Sequence, residues 1–173
     1  MGRIEGPRIL VAGLGNELLR DDGVGIHAVR LLNAQRPEEW GRNIVVAEVG
    51  VAVLDALDLF DWADHILAVD AMRAGKVPGS LYLAYDSDIE DWDPTGGLHE
   101  FSLVGALRMI KKKPQASILG VEPEIVDYGM ELSDTLRRVL PRVAAEAQTH
   151  IRTWNTQPSI PEWAPSVCVR ARR

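Results

Sequence analysis

The sequence predicts a three-layer α/β domain built on a mostly parallel sheet. Two observations lead there. Short apolar runs recur along the chain, RILVAG at 8–13, NIVVAE at 43–48, HILAVD at 65–70 and ASILGV at 116–121. Between them lie segments whose apolar residues repeat with helical spacing, and strands alternating with helices mean a parallel sheet covered on both faces. The size agrees: 173 residues, 46% apolar and 25% charged, is one globular domain that buries a core without staples. The single cysteine, Cys168, has no partner for an internal disulfide.

Each element has its own warrant. Arg8–Gly13 is a continuous apolar run, the signature of a strand buried on both faces. Asp21 or Asp22 opens a helix over Gly23–Gln35, in which Val24, His27, Ala28, Leu31 and Leu32 share one face, and Pro37 closes it. Asn43–Glu48 is a second strand, Ala52–Phe60 a short amphipathic helix and His65–Asp70 a third strand. Ser80–Tyr85 alternates in polarity and reads as an edge strand. The acidic segment that follows carries Asp86, Asp88, Glu90, Asp91 and Asp93, then Pro94-Thr95-Gly96-Gly97. It reads either as a solvated loop or as a lid facing substrate. His99–Lys112 is helical in pattern and Ala116–Val121 is the last strand. Ser133 is a good N-cap for a helix running to about Trp154, with Pro141 marking a kink or a break. Gln157–Arg173 has three prolines and no periodicity. The expected organisation is therefore a single domain over residues 1–155 and an extended or disordered tail over 156–173.

Charge excludes some partners. Lys plus Arg is 19 and Asp plus Glu is 25, a net charge of −6. Nucleic-acid backbones and anionic membrane surfaces reward clustered cations, so neither is an expected partner. No stretch has the roughly 18 uninterrupted apolar residues of a membrane span, and the N-terminus lacks a signal-peptide cleavage pattern. A cytoplasmic protein is expected.

The chemistry concentrates in Gly13–Gly25, GLGNELLRDDGVG. Gly13 and Gly15 match the first two glycines of a dinucleotide fingerprint, and Glu48 would suit a ribose hydroxyl. The third position is Leu18, however, and the Asp21-Asp22 pair would repel a pyrophosphate and occupy the positive end of the helix. For the acidic pair two readings stand: helix capping, which accounts for one carboxylate, or a site. Asp70 ends the third strand. With strands one and three adjacent and strand two outside strand one, strand order reverses between them, and Asp22 and Asp70 leave the same end of strands about 4.8 Å apart. Such a carboxylate pair wants a cation or a shared proton. His99 can add a neutral nitrogen, and two oxygens with one nitrogen suit zinc, nickel or iron better than calcium or magnesium.

Four segments occur in order: GLGNELLRDDGVG, ILAVDAM, GGLHEFSL and LGVEPEIVDYGMELS. Together they resemble the hydrogenase maturation endopeptidases, over Ile9 to about Leu140. The resemblance implies a three-layer α/β/α sandwich with a mixed five-stranded sheet, SLYLAY being its antiparallel edge. It implies an endopeptidase that removes the C-terminal extension of a nickel–iron hydrogenase large-subunit precursor after nickel insertion. It also implies that Asp22, Asp70 and His99 contact the metal and carry catalysis; the first is often Glu in the family. Nickel would be carried by the precursor, with zinc as the other metal the donors suit, and a monomer is expected. A metal-polarised water needs no dedicated nucleophile, which agrees with the lack of a GxSxG elbow or a HExxH helix. Asp22 and Asp70 acting as an acid–base pair is the alternative chemistry. The alternative of another class is a non-catalytic partner-binding module whose acidic pair only caps helices.

Overall fold

The computed structural model describes residues 6–85 and 103–156. Five strands form one sheet: β1 Ile9–Leu14, β2 Ile44–Gly50, β3 His65–Ala71, β4 Leu81–Tyr85 and β5 Gln115–Val121. Their order is β2-β1-β3-β5-β4. β1 pairs in parallel with β2 and β3, and β3 with β5, while β4 runs antiparallel on the β5 edge. This is the expected mixed five-stranded sheet, with the reversal of strand order falling between β1 and β3.

The helices are α1 Val24–Ala34, α2 Leu57–Trp62, α3 Leu103–Met109 and α4 Asp134–Thr156. All six β1 residues are buried, as a continuous apolar run requires, because each face of the sheet is covered. Ile9 and Val11 of β1 and Leu67 and Val69 of β3 join α1 and α4 in one core. Leu10, Ala12, Ile66 and Ala68 point the other way, into a second core with Phe60, Leu103 and Ala106. The alternation follows from the two-residue period of a strand. Each fully buried Leu or Ile side chain contributes about 1.5–3 kcal/mol, so the central strands are fixed from both sides.

Several boundaries differ from the sequence reading. Arg20–Gly23 is a separate 3-10 turn, and α1 begins only at Val24. Its N-cap is Gly23, and no side chain caps either the turn or the helix. Neither Asp21 nor Asp22 is a cap, so the capping account of the acidic pair fails. The segment read as one helix over Ala52–Phe60 is a 3-10 turn, Val53–Ala56, leading into α2. The helix expected over His99–Lys112 ends at Met109. Beyond it the Lys111 and Lys112 amides donate to Asp61 instead of continuing the helix. Ser133 does cap α4, accepting the Leu136 amide at 3.2 Å. Pro141 lies inside α4, whose helical span continues past it. α4 reaches Thr156, one residue into the segment assigned to the tail. The acidic segment Asp86–Asp93, Pro94–Gly97, His99 and the tail from residue 157 lie outside the described residues.

Candidate active site

β1 delivers the chain to a tight reversal at Gly15, which has φ +107°. That value lies in the region side chains avoid, and space is lacking as well. A Cβ there would meet the Asp22 carbonyl oxygen at 1.8 Å and Asp70 Oδ1 at 3.5 Å. The backbone at Gly15 thus runs between the two aspartates. Gly25 matters through close approach: a Cβ would sit 2.1 Å from the Val69 carbonyl. Only glycine lets the first turn of α1 rest on β3 one residue before Asp70.

Asp22 folds back over the turn, where its Oδ2 accepts the Asn16 amide at 2.8 Å. Asn16 in turn accepts the Leu18 amide at 3.0 Å through Oδ1. Asp70, at the end of β3, accepts the Ala71 amide at 2.8 Å through Oδ1. Each carboxylate therefore satisfies one oxygen locally, and the other takes no hydrogen bond from the described residues. Burial, and then the negative charge of Asp22, push the Asp70 acid up to about 7, against the pull of the Ala71 amide. Two coupled carboxylates, one of them reluctant to ionise, form a donor set that a cation relieves. Oxygen donors of this kind hold a divalent metal. Among the described residues no three His, Cys, Asp or Glu side chains converge. Two of the three expected ligands thus stand together, and His99 is outside what the structure describes.

Asp21 differs from its neighbour. It is fully buried. Its Oδ2 accepts the Glu124 and Ile125 amides at 2.9 and 2.8 Å, and its Oδ1 accepts the Ser133 amide at 2.7 Å. It ties the 20–23 turn to the segment between β5 and α4. The sequence assigns Asp22 to the site and leaves Asp21 with no role beyond a possible helix cap. The usable signal was adjacency, because side chains one apart on a tight turn diverge by about 120° and cannot both enter one site.

Two further carboxylates flank the site. Glu17 and Glu48, across a shallow 340 Å³ cleft at the ends of β1 and β2, both receive hydrogen bonds from Arg30. The Arg30 hydrogen bonds hold the Glu17 acid below its ordinary range. One oxygen of Glu48 is thereby held by Arg30, which competes with the ribose role weighed for it. Glu122, just past β5, is buried and accepts the Tyr82 hydroxyl together with the amides of Ala74, Gly75 and Lys76. The Tyr82 hydrogen bond comes first among the causes that keep its acid low. It pins the loop leaving Asp70. Nothing in the sequence singled it out, since its donors are three backbone amides and one tyrosine hydroxyl 40 or more residues away.

Comparison with known proteins agrees with this architecture. The family model for hydrogenase maturation protease, HycI, matches residues 26–150. The hydrogenase expression/formation protein HupD of Rhizobium leguminosarum bv. viciae is 26% identical over 163 residues, 89% of this chain and 79% of that protein. HupD of Thiocapsa roseopersicina is 31% identical over 145 residues, 79% of this chain and 65% of its own length. The solved structure of the hydrogenase maturating endopeptidase HybD from E. coli superposes with a TM-score of 0.73 at 24% identity, covering 84% of this chain and 93% of that one. A sheet of this order, a glycine-built turn between two coupled aspartates and a family match over most of its length place the chain among the hydrogenase maturation proteases, endopeptidases that process hydrogenase precursors.

Proposed function

We propose that the chain removes the C-terminal extension of a nickel–iron hydrogenase large-subunit precursor once nickel is in place, with Asp22, Asp70 and His99 as the groups that meet the metal. The observation that carries this reading is the Asp22–Asp70 pair at the strand-order reversal, where the charge of Asp22 helps hold the Asp70 acid high. The nickel belongs to the substrate; zinc is the other ion this donor set suits. A metal held by Asp22, Asp70 and His99 would supply Lewis-acid polarisation of a water or the scissile carbonyl. The protein's own part is to hold Asp22 through the Asn16 amide and Asp70 through the Ala71 amide, with the other oxygen of each unengaged among the described residues. The alternative of a non-catalytic module loses its basis, because the acidic pair caps no helix.

The test is mass spectrometry of nickel-loaded and metal-free precursor after incubation with the enzyme. The loaded precursor is trimmed and the metal-free one is not, and Asp70→Asn lowers trimming at least a hundredfold. Normal trimming by that variant removes Asp70 from the site. Equal trimming of both precursors removes the nickel requirement and leaves Asp22 and Asp70 working as an acid–base pair.

A further inference from the structure

Six of the eight large apolar side chains that stand exposed among the described residues lie in loops leaving the carboxyl ends of the parallel strands: Leu18, Val51, Val77, Ile125, Tyr128 and Met130. Three of them form a ledge beside Asp22. Leu18 is 58% exposed, Tyr128 88% and Met130 60%. They are held there by backbone pairing. The Gly129 amide donates to the Leu18 carbonyl at 3.0 Å and the Arg20 amide to the Gly129 carbonyl at 2.8 Å, around a parallel bridge between Leu19 and Gly129. Leu18 and Tyr128, each one residue before that bridge, are in register across it. Asp21, tied to Glu124, Ile125 and Ser133, anchors both loops to the turn that carries Asp22. The ledge is built in advance, so little ordering remains when a partner arrives. Exposed apolar side chains gathered on a rigid support mark an interaction site, and Tyr, Met and Arg are the residue types enriched in interfaces.

Charge narrows the occupant. Farther along the same two loops a 410 Å³ pocket lies between Arg20, Ile125 and the start of α4. Arg20 adopts φ +52°, the one non-glycine residue with positive φ among the described residues. Its Nε is buried and has no hydrogen-bond partner among the described residues. Asp134 is paired with Arg137, while Arg138 lines the same pocket with no ion partner among the described residues. Glu124 is the opposing charge. The pocket keeps a positive excess, which fits an acidic group on the arriving surface.

We propose that the Leu18–Tyr128–Met130 ledge is where the folded hydrogenase precursor docks, an apolar patch of the precursor covering these three side chains and an acidic group entering between Arg20 and Arg138. This rests on the protease reading of the adjoining site and extends it: recognition lies in a surface beside the aspartates, and the ledge delivers the scissile segment to them.

The experiment measures precursor binding to the full chain carrying Asp70→Asn, by biolayer interferometry, with and without Tyr128→Ser/Met130→Ser and with Arg138→Glu. The double variant weakens binding at least tenfold. Arg138→Glu weakens it three- to tenfold and flattens its salt dependence. In the otherwise unmodified enzyme the double variant raises the KM for precursor at least tenfold. Both positions are exposed, so an unchanged melting temperature excludes unfolding. A double variant that binds within twofold of its parent, or a parent that does not bind precursor, overturns the proposal. So does a parent that sediments as a dimer and a double variant that sediments as a monomer with precursor affinity intact, because the ledge is then a contact between two copies of this chain. Trimming by Asp70→Asn sinks the active-site reading alone, and the binding result still judges the ledge.

Discussion

Asp21 and Asp22 are chemically the same and do opposite work. Asp21 is a buried acceptor for three amides, and charge-assisted bonds of that kind are the strong ones. Asp21→Asn turns one acceptor oxygen into a donor that faces other donors. We expect a loss of about 2–3 kcal/mol, read by chemical denaturation, with slower trimming because the turn bearing Asp22 loosens. Asp70 has the reverse balance. Its acid is raised to about 7 in the folded chain, above the unfolded value near 4. The folded state is therefore penalised at every pH where the unfolded aspartate is ionised and the folded one resists ionisation. The penalty is complete above pH 7 and gone below about pH 4. Asp70→Asn, studied free of metal, raises stability at pH 8 by up to ~4 kcal/mol; at pH 4 it changes nothing. A variant that melts higher at pH 8 and has lost processing marks Asp70 as a residue kept for function at a cost in stability.

At the scale of elements, apolar pattern and chemistry were legible to different degrees. The continuous runs of β1 and β3 are buried on both faces, and runs of that kind announce central parallel strands. SLYLAY alternates because β4 is the edge. The placement of Asp22 and Asp70 followed from topology: once β1 and β3 are neighbours, their loops must meet. The start of α1 was not legible. The 3-10 turn over Arg20–Gly23 is set by contacts with Ile125 and Gly129, more than 100 residues away, which no local window contains. Glu122 escaped for the same reason. Pro141 signalled a defect that α4 absorbs. It is exposed on a 23-residue helix that Leu136, Val143, Ala147 and Ile151 hold against the sheet. A proline there removes one amide donor, and the packing outweighs that loss. Pro141→Ala should then stabilise the protein by ~1–3 kcal/mol, visible as a higher denaturation midpoint at unchanged m-value and unchanged trimming.

The whole molecule has two electrostatic poles, one at each end of the sheet. At the amino end Asp64 accepts the Arg8 amide at 2.7 Å and the Arg8 and Lys112 side chains. Burial pushes its acid up, but these partners outweigh burial and hold it at about 2. His65 beside it is stacked on Trp154, ring centroids 5.0 Å apart, and burial keeps its pKa below the ordinary value. Asn155 of α4 bonds Asn43 at 2.8 Å at the same end. At this pole Asp64 is fully engaged by its cationic and amide partners, whereas the carboxyl end holds the frustrated pair. The two poles must therefore respond to acid with opposite sign. Asp64 has a depressed folded value, so its contribution is present above about pH 4 and is lost as pH falls toward 2. His65 adds to that acid loss, because the unfolded histidine takes a proton that the folded one refuses. Asp70 gains as pH falls from 7 toward 4. Asp64 is about a third exposed, so solvent screening holds its share to about 1 kcal/mol. Denaturation curves at pH 8, 4 and 2 test this directly. Asp64→Asn is less stable than the parent at pH 8 and pH 4, matches it near pH 2, and trims precursor at the parent rate throughout. Asp70→Asn differs from the parent only at the alkaline end and does not trim. If both variants shift in the same direction across that range, the separation of a stabilising pole from a working one is wrong.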